Sequence, residues 1–132
     1  MYTGYSELKL STMEYSELYR TQKLNGYIFY ENEYIYIKPD DEKTERGLYL
    51  QYRNGELAEI KYPVIQSNFA GKCKPRNPEQ VFGFNLLQDQ QTTVKLLTGT
   101  FGTGKTFMMV VAALEAIEKG KFDRIIWVRN NV

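Results

Sequence analysis

The stretch Gly99-Thr-Phe-Gly-Thr-Gly-Lys105-Thr106 decides the reading of this chain. It satisfies G-x-x-x-x-G-K-[ST], the phosphate-binding P-loop, at every position. Glycines at this spacing let backbone N–H groups turn inward around an anion without Cβ clashes. Lys105 is placed to reach β- and γ-phosphates, and the Thr106 hydroxyl to hold Mg²⁺. The flanking sequence suits the motif. Thr93-Val-Lys-Leu-Leu-Thr98 reads as a buried strand, and Phe107 to Ile117 reads as a helix whose positive end faces the loop. The expected cofactors are therefore ATP and Mg²⁺, with Gly99, Thr100, Phe101, Gly102, Thr103, Gly104, Lys105 and Thr106 binding the nucleotide.

Working outward, residues 77–132 read as helix, strand, loop, helix and strand, the opening of a parallel α/β sheet. Asn77 caps the first helix, Pro78 takes its first position, and Gln80 completes a capping box. Val81, Phe84, Leu86 and Leu87 form its apolar face. The strands are expected at 92–98 and 124–128, with a helix over 104–119 ended by Gly120. Met108, Met109, Val110, Val111, Leu114 and Ile117 are expected in the core, and Trp127 and Cys73 are expected to be structural.

The first half has a different character. All 11 tyrosines lie within residues 1–62, which carry 8 basic and 11 acidic side chains. Residues 63–132 carry 9 basic and 5 acidic ones, so the charge changes sign where the tyrosines stop. Residues 5–10 alternate as a short strand. Ser11 or Thr12 caps a helix with Met13, Leu18, Tyr15 and Tyr19 on its apolar side. Tyr27–Tyr30 and Tyr34–Ile37 read as one hairpin. Residues 48–52 and 57–60, joined through Asn54-Gly55, read as another. The expected organisation is an antiparallel, tyrosine-rich β/α unit over 1–62, a proline-bearing connector over 63–76, and a truncated P-loop NTPase domain over 77–132.

Composition narrows the function further. The chain of 132 residues has no histidine, which removes the commonest general base and metal ligand. Its one cysteine, Cys73, forms no internal disulfide. No apolar run approaches a membrane span, and the N-terminus lacks a signal-peptide pattern. The reading is cytoplasmic with no membrane partner. No carboxylate cluster suits two-metal nuclease chemistry.

Lys74-Pro-Arg-Asn-Pro-Glu-Gln80, followed by the P-loop, resembles the start of the ATPase domain of PhoH-like proteins, relatives of superfamily 1 helicases. Arg124-Ile-Ile-Trp-Val-Arg129 is similar to the family's second strand. Tyr15-Ser-Glu-Leu-Tyr19 and Asn32-Glu-Tyr-Ile-Tyr36 resemble the β region that precedes the ATPase in members carrying an N-terminal PIN nuclease. The resemblance implies an α/β chain. A small N-terminal β unit precedes an incomplete RecA-like P-loop NTPase sheet, and the activity is ATP-dependent and linked to RNA metabolism. It implies that Gln80 hydrogen-bonds the adenine edge, which suits an amide that both donates and accepts. Phe101 departs from the family's small residue or proline, and its ring packs over the nucleotide or meets a partner surface.

Hydrolysis needs a carboxylate at the end of a neighbouring strand. Glu115 and Glu118 fall on the helix about three turns from its phosphate-facing end, and Asp123 falls at the wrong edge of the sheet. The Walker B carboxylate is missing, so weak or no hydrolysis is expected from this chain alone, which leaves its standing as an enzyme open. Two parallel strands are marginal without cover. The expectation is a truncated PhoH-like protein or fragment, completed by self-association or a longer homologue. An alternative is a nucleic-acid-binding module, with strand tyrosines stacking bases and Lys72, Lys74 and Arg76 on phosphates. Arg129, at a strand's C-terminal edge, is a candidate phosphate or nucleic-acid contact.

Overall fold

Ser11 starts the first helix by a reciprocal cap: its Oγ accepts the Glu14 N–H at 3.3 Å, and Glu14 Oε1 accepts the Ser11 N–H at 3.1 Å. This local chemistry appears in a computed structural model that describes residues 4–39, 47–98 and 104–128. The chain divides into two units, one running to Lys61 and including Asn77–Phe82, the other comprising Tyr62–Arg76 and the residues from Gly83 onward.

In the first unit, β1 (Ser6–Leu8) precedes α1 (Thr12–Thr21), followed by β2 (Tyr34–Ile37), β3 (Leu48–Arg53) and β4 (Glu56–Glu59). The sheet order is β1-β2-β3-β4. β2, β3 and β4 are antiparallel neighbours, whereas β1 runs parallel to β2. The unit is thus mixed rather than wholly antiparallel. Parallel neighbours need a long crossover, and α1 with the segment after it supplies one. Asn54 and Gly55 both adopt positive φ (52° and 81°), the primed turn that suits a tight hairpin.

The expected hairpin of Tyr27–Tyr30 with Tyr34–Ile37 does not form; Tyr27–Tyr30 stands outside the ladder. Tyr27 stacks on Phe29, and Phe29 packs on Tyr52. Asn32 then donates to the Tyr52 carbonyl at 2.8 Å, turning the chain onto β3 instead of back on itself.

Strand alternation sorts the side chains into two faces. Ile35, Ile37, Leu50 and Leu57 bury one face with Leu10, Leu18 and Leu24. α1 meets this core through Leu18 and Tyr15. Met13 and Tyr19, expected on that side, are exposed, because the helical turn carries them away from Leu18. The other face presents Tyr34, Tyr36 and Tyr49; Tyr36 stacks on Tyr49, and Tyr34 and Tyr49 pack with Tyr5 around Phe82. Its ring lies 4.9 Å from Tyr34, 5.2 Å from Tyr5 and 5.7 Å from Tyr49. The Tyr5 hydroxyl donates to Glu79 at 3.0 Å. Burial first, then the Glu79 and Glu7 carboxylates, push that phenol above the usual tyrosine range.

In the second unit, the expected connector holds a hairpin of β5 (Ile65–Ser67) and β6 (Gly71–Cys73), paired antiparallel. Ile65 is completely buried. α2 (Pro78–Gln88) begins where Asn77 Oδ1 accepts the Gln80 N–H at 2.9 Å. Its first turn belongs to the first unit and its later turns to the second. α3 (Lys105–Glu118) buries Met108, Val111, Ala112 and Glu115, a single helical stripe. Ile65, Phe84, Met108, Val111 and Ala112 form the core.

Gly120 adopts φ 73° and ends the helix, donating to Ile117, while Lys121 donates to Ala116 in a Schellman pattern. Met109 and Val110, expected in the core, are exposed because the described residues cover only one side of α3; Trp127 is exposed as well. Residues 92–98 and 124–128 enter no ladder among the described residues, so the expected parallel pair is not formed there. Their apolar side chains face outward, Val94 and Val128 each at 87% exposure. A parallel pair without neighbours or cover buries too little to hold its strands together.

Phe82→Ala removes the ring shared by three tyrosines, and urea denaturation will show a loss of about 3–5 kcal/mol. Met13→Ala, at an exposed site, will stay within about 0.5 kcal/mol of the wild type.

Candidate nucleotide-binding site

Gly104 stands at the N-cap of α3 with φ 80° and ψ 13°. A residue with a Cβ is strained in this left-handed conformation. Its carbonyl accepts the Met108 N–H at 2.9 Å, closing the first turn. Glycine brings no side-chain oxygen to the first-turn N–H groups, so the N-cap side chain leaves them uncapped. Lys105 and Thr106 are the first two residues of the helix, one half-buried and one exposed. A positive helix end, an ammonium and a hydroxyl together fit a Mg-bound polyphosphate in charge and in donor set.

Gly99, Thr100, Phe101, Gly102 and Thr103 lie outside the described residues, as does Arg129. Gly104, Lys105 and Thr106 are brought together by the start of α3. Gln80 is half-buried in the first turn of α2 and belongs to the other unit.

What seats α3 was not legible beforehand. Glu115, almost wholly buried, accepts the Gln66 N–H of β5 at 2.6 Å and pairs with Lys119 at 3.5 Å. One turn on, Glu118 accepts the Asn68 N–H at 2.8 Å. Carboxylates taking backbone N–H groups make short, strong bonds. Both glutamates thus bind the hairpin. From the other side, the Gln88 amide donates to the carbonyls of Tyr62, Val64 and Phe84 at 3.1, 3.0 and 3.2 Å. The spacing of Glu115 and Glu118 at i and i+3 was the available signal for a shared partner.

A cavity of about 390 Å³ lies toward the far end of α3, with Lys95, Lys121, Asp89 and Glu115 in its wall. Lys95 donates to the Leu87 carbonyl at 3.0 Å, near the C-terminal end of α2, where a cation is welcome. Burial lowers the Lys95 pKa; Asp89 opposes the shift and Lys121 adds to it. The arrangement ends a helix and makes no phosphate cradle. Among the described residues, no histidine, cysteine or carboxylate cluster could hold a metal ion, and no helix is long and apolar enough to cross a membrane.

Residues 72–132 match the family described as PhoH-like protein. Over 98% of its length the chain is 24% identical to Protein PhoH2 of Bacillus subtilis (strain 168), and it spans 30% of that protein. No solved structure matches significantly.

Glu115→Ala leaves the Gln66 N–H without its acceptor, and denaturation will show a loss of about 1–3 kcal/mol. Glu118→Ala, at an exposed site, will cost less.

Proposed function

We propose, on the match of residues 72–132 to the family described as PhoH-like protein, that this chain binds Mg-ATP through residues 99–106, as a segment of an ATPase linked to RNA metabolism. The observation that carries the reading is the start of α3. A left-handed Gly104 hands over directly to Lys105 and Thr106 at a positive helix end, in the motif that phosphate recognition requires. In this reading the loop N–H groups and Lys105 hold the β- and γ-phosphates. Thr106 holds Mg²⁺, which supplies charge neutralisation when bound, and Gln80 reads the adenine edge.

Hydrolysis is weak in the same reading. Glu115 and Glu118 are engaged with hairpin N–H groups, and neither is available to orient a water molecule. A compatible second reading concerns assembly. The outward apolar side chains of residues 94–96 and 125–128 favour completion of a RecA-like sheet by self-association or by a longer homologue.

Calorimetric titration of Mg-ATP into the wild type and Lys105→Ala tests the proposal. Saturable binding is expected in the wild type and its loss in the variant, with unchanged thermal unfolding. Phosphate release is expected near background. Equal binding by both proteins would refute the P-loop as the site. Sedimentation of the same samples will show concentration-dependent association if the sheet is completed between copies; monomers throughout would remove self-association.

A further inference from the structure

The β5–β6 hairpin has a second side, away from Ile65 and Ser67. Gln66 and Lys72, opposite each other in the register, are both exposed. Lys72 on β6 and, just beyond its end, Lys74 and Arg76 are all exposed, whereas Cys73 and Pro75 between them are half-buried. Residues 60–78 contain four basic side chains and no carboxylate. The carboxylates brought near the hairpin by α3 are Glu115, which is buried beside Lys119, and Glu118, which holds the Asn68 N–H.

The tip is built with equal economy. The Asn68 N–H is held by Glu118, and Ser67 Oγ accepts the Ala70 N–H at 2.9 Å. Between these two anchors stands Phe69, 84% exposed. An aromatic ring displayed on a pinned turn beside a row of cations and two amides, Gln66 and Asn68, is the equipment of a stacking platform. The sheet tyrosines do not provide one, since Tyr34, Tyr36 and Tyr49 are taken up by packing with Phe82 and with one another.

We propose that the outward side of the β5–β6 hairpin binds single-stranded nucleic acid, with a base stacked on Phe69 and the backbone running along Lys72 and Lys74. Lys74 follows directly on the end of β6, and residues two apart in extended backbone are separated by about 6.7 Å, comparable to the spacing of successive phosphates in an extended strand. Sequence preference is weak, because a π-face accepts every base. The hairpin is held by Glu115 and Glu118 toward the end of α3, whereas Lys105 and Thr106 start that helix, and occupation of the hairpin needs no nucleotide.

Fluorescence anisotropy of labelled oligouridine and oligothymidine, at low and physiological salt, tests the assignment. Phe69→Ala should weaken binding about tenfold while circular dichroism stays unchanged, and Phe69→Tyr should restore most of the loss. Lys72→Ala with Lys74→Ala should reduce the salt slope by about 1.4. Lys105→Ala should bind as the wild type does, which separates this site from the nucleotide reading. No binding by the wild type would overturn the proposal, as would full affinity in Phe69→Ala. Equal competition by heparin, with no effect of Phe69, would show a general anion patch and overturn it too. Stronger binding of one sugar type identifies the strand as RNA or DNA within the proposal.

Discussion

The bond from the Gln66 N–H to the Glu115 carboxylate organises the second unit. It joins a short hairpin to the helix that carries Lys105 and Thr106 at its start. Ile65 is wholly buried beside it, and Met108, Val111 and Ala112 complete the same contact from α3. A buried carboxylate is costly unless it is bonded and paired. Here it takes a backbone N–H and lies beside Lys119, so the charge is satisfied while the helix is held at one height on the hairpin. The position of Lys105 and Thr106 at the start of α3 follows from this seating.

The first unit depends on a different device. Its sheet exposes two unlike faces, aliphatic toward α1 and aromatic on the reverse. Leucine and isoleucine fill the first face with α1 and the loops beside it. The second is closed by Phe82 and by the Tyr5–Glu79 hydrogen bond. Both closures come from the first turn of α2, which is distant in sequence from the strands. A tyrosine-rich strand set, which composition alone offers as a nucleic-acid platform, is thereby used for packing.

The features legible in the sequence were those decided locally. Ser11 and Asn77 cap their helices, Asn54-Gly55 turns its hairpin, and Gly120 ends α3, each through groups within a few residues. Gly104 and Lys105 mark the beginning of α3 for the same reason. Features decided at a distance were not legible. The β5–β6 hairpin is only three residues per strand and is flanked by Pro63 and Pro75, so its composition resembles a linker until Ile65 finds Val111 and Met108. Phe82 sits beside the expected apolar face of α2, and its partners lie on strands far along the chain. β1 runs parallel because of the crossover that follows it. Residues 92–98 and 124–128 have the composition of strands, but a strand also needs a neighbour, and composition says nothing of whether the neighbour is in place.

In the proposed reading, a hairpin-seated α3 presents its start to phosphate. Residue-resolved amide hydrogen exchange, with and without Mg-ATP, tests it most directly. The Gln66 amide is expected to exchange as slowly as those of Val111 and Ala112 in both states, and Mg-ATP is expected to slow exchange at Lys105, Thr106 and Phe107. A Gln66 amide exchanging at the rate of an open peptide, with no nucleotide effect at the start of α3, would contradict it.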